Sequence, residues 1–551
     1  MKKLTPFSVL LQHFEKAQRQ FGNDANRQTL SALEELQSCK LDNPKLFQRY
    51  ADALLFTVAY PGSEDIAFAA EGEMGRLFRA CEKWSGKKGA EALYNSALPG
   101  TEVCATYSLT HNEWLLNRYG KNVSLYEEDL NTEEIIKHLQ HALDPVELEV
   151  YNEGLDDWDT WKNEIAGFKE DAHRTLDFLV GQTALLKGTL GWKESLFSSF
   201  HTFTNWQTKK DDPLFYGARI HFSPSFIHRS GILKKMTIGE ALEQGQPKAI
   251  KLNPEDRNKL VDIGKAVLGS LMRETDPITY AQVQETEYFD MGRGVGIALY
   301  YMVPEMKMTL QSYVGYLLFK NGAPCAYGGG WLFNNESGFG VNIFPPYRGG
   351  ESANIVCQLL RLYALHFNAN TFTVDPYQIG LGNPEGIQSG SFWFYYRLGF
   401  RPEQSELRKL AESEFKKIAA KTDYRSNEKT LLRLAHSTMR WTHPDRKEKN
   451  FLSAEKIAEK TRTHINKKHQ GDRGKATVSA LIKIRENTGR DHFNPLAAKI
   501  ATTLDAAGLL DKTDPEILNE FLEAYRLKSQ YEREYILASQ EFPEIFEPLK
   551  R

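Results

Sequence analysis

The chain has 551 residues, of which 41% are hydrophobic and 26% charged, and its formal net charge is −3. This is an ordinary globular composition, long enough for two to four domains. The charge balance excludes a uniformly basic polyanion binder, and the lack of any run of 18 apolar residues excludes a spanning helix. Five cysteines (Cys39, Cys81, Cys104, Cys325 and Cys357) are scattered without a C-x-x-C pair. That pattern points to a reducing cytoplasm rather than a disulfide framework. The Met1-Lys2-Lys3 start is followed by Pro6, Gln12, His13 and Glu15, which a secretory leader would not carry.

In chain order, residues 1–170 read as a mostly helical domain. Leu10, Leu11, Phe14, Ala17 and Phe21 keep helical spacing, Ser63 caps a helix carrying Ile66, Ala70, Met74 and Leu77, and Thr132 opens another. Residues 171–250 read as a connector packing on the next domain, with a weak strand-like alternation over 216–222. His138 with His141, and His201, His221 and His228, lack metal-ligand spacing, so no metal is expected. Asn253-Pro254-Glu255-Asp256 is a helix start: a cap, proline at the first helical position, then acids on the dipole. This helix is expected to run to about Arg273. Strand-like runs follow at 295–302, 313–320, 325–333 and 338–344, with Asn321-Gly322 as a hairpin turn because both residues tolerate positive φ.

The most informative stretch is 341–402. A strand meets Pro345-Pro346 and then Tyr347-Arg348-Gly349-Gly350. A helix follows with Ile355, Val356, Leu359, Leu362, Tyr363 and Phe367 on one stripe, then a second strand at 371–374. A glycine-rich turn between strand and helix leaves amides unpaired at the positive helix end, where anions settle. Beyond Pro402 the chain reads as entirely helical. Residues 421–500 carry a net charge of +10, which leaves about −13 for the rest. Such an asymmetry fits either a polyanion-facing surface or a helical domain docked on acidic neighbours.

The run Ile343-Phe344-Pro345-Pro346-Tyr347-Arg348-Gly349-Gly350-Glu351-Ser352-Ala353 resembles the signature V-x-P-x-Y-[RQ]-x-x-G-x-[GA] of the GNAT superfamily of N-acyltransferases. Phe394-Tyr395-Tyr396-Arg397-Leu398-Gly399-Phe400-Arg401-Pro402 resembles that family's closing F-Y-x-x-L-G-F-x-P. The likeness covers roughly residues 250–402. It implies an α/β (α+β) fold, a GNAT-like central mixed sheet at 251–402 flanked by a helical N-terminal region and a helical C-terminal domain at 403–551. It also implies acyl-coenzyme A as co-substrate and an amine as acceptor. Ile343 and Phe344 would hold the pantetheine arm like an added strand. Amides from Arg348 through Gly349, Gly350 and Ser352 to Ala353 would cradle the pyrophosphate, and Tyr395 would protonate the departing sulfur. For a general base the candidates are Asp375 and Glu336.

Glu351 stands where the family has a glycine. Three outcomes are open: its side chain turns outward and coenzyme A binds; the donor lacks a pyrophosphate, as with a charged tRNA held by 421–500; or the site is dead and the fold serves interaction alone. The loop 377–390, rich in glycine and proline, either covers the site or simply turns the chain.

Overall fold

The computed structural model describes residues 6–151, 157–167, 171–421, 423–445, 454–492 and 494–549. The protein is mixed α/β and is built on a large mixed sheet. Twelve strands are described: β1 (Glu102–Thr106), β2 (Val123–Tyr126), β3 (Phe203–Gln207), β4 (Lys248–Ala249), β5 (Glu287–Gly292), β6 (Val295–Tyr300), β7 (Ser312–Lys320), β8 (Ala323–Phe333), β9 (Glu336–Ile343), β10 (Thr371–Val374), β11 (Arg401–Pro402) and β12 (Met439–Thr442). Nine of them form one sheet in the order β11-β12-β10-β9-β8-β7-β6-β5-β4. Its neighbours are antiparallel except β9 and β10, which run parallel. A parallel pair needs a crossover, and here the Ser352–His366 helix supplies it.

Local chemistry explains the regular parts. At the β7–β8 hairpin Asn321 and Gly322 have φ of 47° and 81°, the pair of left-handed conformations that a two-residue turn requires. Asn253 and Asp256 form a reciprocal capping box at the Pro254–Ser270 helix. That helix stops three residues before the expected end. Met272 takes φ of 56°, and the Arg273 amide donates back to the Leu268 carbonyl at 2.8 Å. The crossover helix sits close on the sheet: the Tyr363 hydroxyl donates to the Val314 carbonyl at 2.9 Å. A Cβ at Gly330 would lie 2.4 Å from the Tyr363 ring, so this approach needs glycine.

Three apolar clusters divide the chain differently from the sequence boundaries. Helices of residues 7–84 share the main core with the central sheet through Tyr50, Leu54, Phe56 and Tyr60. A second cluster, over 105–214, surrounds the three-stranded sheet β1-β3-β2. Of the stretch 171–250, the first part contributes β3 and the Ala172–Leu185 and Leu190–Ser199 helices to this packed unit, whereas residues 215–241 pack into the main core; 216–222 forms no strand. The third cluster is the C-terminal helices, tied to the segment that leads into β7 by Lys528, which donates to the Gln311 carbonyl at 2.6 Å, and by Tyr525, which donates to the Thr309 carbonyl at 2.8 Å. The region after Pro402 is not entirely helical: β12 enters the central sheet between β10 and β11. Among the described residues no helix is long and apolar enough to cross a membrane.

Candidate active-site cleft

β9 and β10 pair only from Glu336 to Gly338 on β9 and from Thr371 to Thr373 on β10. Beyond that point the strands part, and the far half of β9 has a free edge. The Val341 carbonyl on that edge accepts the Gln378 side-chain amide at 2.9 Å. Groups on one strand edge recur every second residue, so Ile343 shares it, and its carbonyl faces Arg348 Nε at 3.4 Å. The parting opens a cleft of about 680 Å³, in the range of ligand pockets, lined among others by Tyr327, Val341, Ile343, Ser352 and Tyr395.

Tyr395 lies on the short Ser391–Arg397 helix and is 2% exposed. Its ring meets Phe339, Phe394 and Phe400 edge-on. Burial pushes the phenol above the ordinary tyrosine range, against a hydrogen bond with Gln378, and the Asp375 carboxylate adds to the upward push. The hydroxyl is therefore protonated at neutral pH. Asp375 itself is exposed and accepts the Gln378 backbone amide at 3.0 Å, which fixes the turn after β10. Glu336 opens β9 at the end opposite the cleft, roughly 23 Å along the strand from Ile343. Phe344 also lies off the cleft: it is 1% exposed, packed between Phe215 and Tyr327.

The Arg348–Glu351 turn is partly spent on its own structure. The amides of Arg348 and Gly350 donate to the carbonyls of Pro345 and Tyr347, and the Glu351 amide donates to the Tyr60 hydroxyl at 3.2 Å. Among the described residues the amides of Gly349, Ser352 and Ala353 have no protein acceptor. The Tyr60 ring, from the N-terminal helices, sits where a Cβ at Gly350 would come within 2.7 Å. Arg348 reaches across the cleft mouth to Glu385 at 2.5 Å. Glu385 belongs to the Pro384–Ser389 helix within the 377–390 loop, so this loop roofs the cleft. Gly380 holds its fold at φ 123°, where a Cβ would strike Ile387 at 2.4 Å.

Glu351 neither fills the cleft nor turns to solvent. Its side chain is fully buried, with Lys320 Nζ at 2.8 Å, Arg293 Nη2 at 2.7 Å and the Leu233 amide donating at 2.7 Å. Burial pushes its carboxyl up, but Lys320, Leu233 and Arg293 outweigh that and bring it down to about 2. Burial pulls the Lys320 ammonium in the neutral direction. A carboxylate receiving two cations and an amide is held ionised, so the pair is charged at neutral pH.

Glu274 is a cleft residue that the sequence did not disclose. It follows the left-handed Met272 and lines both this cleft and a second, polar cavity of about 1000 Å³ beside the three-stranded sheet. The second cavity also carries Asp129, Glu194 and Tyr280. Glu274 accepts the Ser108 amide and hydroxyl, both at 2.8 Å, and the Thr279 hydroxyl at 3.0 Å. His111 stands 3.3 Å away, but burial and then the Lys265 charge drive its pKa down to about 3, so it is a neutral ring and brings no charge of its own to the carboxylate. Acids next to a helix stop carry no signal of such a role, and only the tertiary placement of Glu274 in the walls of two cavities marks it. Comparison with protein-family models, curated proteins and solved structures gives no match to this chain.

Proposed function

We propose that this chain is a GNAT-type acyltransferase that moves an acyl group from acyl-coenzyme A to an amine. The supporting observation is the cleft at the parting of β9 and β10, which combines a free strand edge, a helix N-terminus at Ser352 and the protonated phenol of Tyr395. In this reading the pantetheine arm lies along Val341 and Ile343 and replaces Gln378 at the Val341 carbonyl. The pyrophosphate meets the amides of Gly349, Ser352 and Ala353, and Arg348 once it leaves Glu385. The acceptor enters through the second cavity, whose acids favour a cationic amine. Its ammonium loses a proton to Glu274, and the amine nitrogen attacks the thioester carbon. A C–N bond forms, the C–S bond breaks as the intermediate collapses, and the leaving thiolate takes the Tyr395 proton; the second proton shed by the new amide nitrogen passes through solvent to restore the Tyr395 phenol.

Arg348→Glu is expected to weaken acyl-coenzyme A binding at least about tenfold, since a charge-assisted contact of 1.5–3 kcal/mol is lost and a repulsion added. Titration of dye-labelled coenzyme A reads this, and unchanged affinity removes the pyrophosphate assignment. A charged-tRNA donor is the second reading. It is favoured by Lys456, Lys467, Lys468 and Arg473, which stand exposed on the Ala454–His469 and Arg473–Thr488 helices. Parallel titration with bulk tRNA separates the two: coenzyme A alone supports the first, and tRNA alone, with steep salt dependence, the second. Binding of neither leaves a non-catalytic interaction protein.

A further inference from the structure

The C-terminal helices hold a second group of chemistry-bearing side chains, remote from the cleft in sequence and independent of the acyltransfer reading. His464 and His469 lie on the Ala454–His469 helix and Asp505 on the Pro495–Ala506 helix. One ligand atom from each falls within 4.8 Å of the others. They are the one such group of His, Cys, Asp or Glu found among the described residues. The side chains of His464 and Asp505 are 9% and 8% exposed. His464 Nε2 stands 3.1 Å from Asp505 Oδ2, yet the atom is buried with no hydrogen bond, because the ring is not aimed as a donor. A nine-tenths buried imidazole nitrogen without a partner is costly unless something else meets its lone pair.

We propose that His464, His469 and Asp505 form a binding site for a divalent transition cation of borderline softness, zinc being the first candidate. Two ligand atoms each about 2.0–2.1 Å from one ion stand about 3.3 Å apart in a tetrahedron and about 2.9 Å apart in adjacent octahedral positions. The 3.1 Å between Nε2 and Oδ2 lies between those values. Imidazole and carboxylate together suit zinc better than calcium or magnesium, which prefer all-oxygen shells. Lys483 donates to the other oxygen of Asp505 at 2.8 Å and to Asp511 at 2.7 Å. It thereby orients Oδ2 toward the two rings, as outer-shell partners of metal ligands do, and its charge limits the affinity. The ion would tie the two helices together, with a fourth position left to water.

The test uses the full chain and cobalt(II) as a spectroscopic probe, with zinc competition. The expected result is one equivalent of cobalt showing visible d–d bands, displaced by zinc, with His469→Ala weakening binding at least ~10-fold. His469 ends its helix and is only partly buried, so this variant keeps its fold. Asp505→Asn, checked for folding by circular dichroism, should lose the bands as well. Absence of d–d bands in the wild type, or binding unaltered in His469→Ala, overturns the proposal. Loss of coenzyme A binding in other variants leaves it untouched, since the two sites share no residue.

Discussion

Tyr395→Phe is expected to lower the turnover of thiol release about 10²-fold or more while acyl-coenzyme A affinity stays within about twofold. The substitution leaves the surrounding packing alone. Phenylalanine retains the edge-on contacts with Phe339, Phe394 and Phe400, so the core beneath the cleft is preserved. Only the hydroxyl is lost, and with it a proton that burial keeps in place at neutral pH. A general acid acts on the leaving thiolate in the transition state and contributes little to ground-state binding, so the loss falls on kcat rather than on KM. A chemical control sharpens the test. A thioester whose thiol is already acidic leaves without help, so the variant's deficit should shrink with such a donor. A tyrosine that merely packs would show the same deficit with both donors, or none, and either result ends the acid assignment.

The parts of this fold legible in the sequence are those whose causes are local. Asn321-Gly322 and Asn253-Pro254 carry their own geometry, and β7 to β10 appeared at nearly their final boundaries because turns with known chemistry bracket them. The missed strands have no such cause. β12 is four residues with one fully buried, and its partners in β10 and β11 lie some 40 to 70 residues earlier, so no alternation announces it. β4 and β11 are two residues each. The site shows the same division. Arg348, Ser352 and Tyr395 reach the cleft through a motif read in one stretch, whereas the Tyr60 hydroxyl that takes the Glu351 amide comes from 291 residues away. Glu336 failed as a cleft residue because an acid in a turn before a strand sits at the strand's start, and the cleft lies at its end. The burial of Glu351 is not legible in the turn itself, because its partners Lys320, Arg293 and Leu233 are scattered along the chain.

Those partners set the second large effect: Lys320→Met is expected to destabilise the main core by about 3–5 kcal/mol. Lys320 and Glu351 are both fully buried, and Lys320 also donates to the Arg293 carbonyl at 2.6 Å. Methionine fills the space but leaves the carboxylate with Arg293 as its one remaining direct cation, itself partly exposed. Removing one member of a buried pair strands the other charge, which costs more than the pair was worth. The double variant Lys320→Met/Glu351→Gln should therefore recover part of the loss, a non-additivity that a double-mutant cycle in urea reads directly. Acid provides an independent check. The Glu351 carboxyl falls from 4.5 unfolded to about 2 folded, so its contribution, on the order of 3 kcal/mol, is complete above pH 4.5 and drains away as pH drops toward 2. The wild type should lose stability across that window, and Glu351→Gln should lose less over the same window because its amide does not titrate. Additive single variants, or an identical acid profile in Glu351→Gln, would mean that the carboxylate is not held ionised in the core. Glu351 would then stand as a neutral carboxyl beneath the start of the Ser352–His366 helix, and its contact with Lys320 would no longer count as a charged pair.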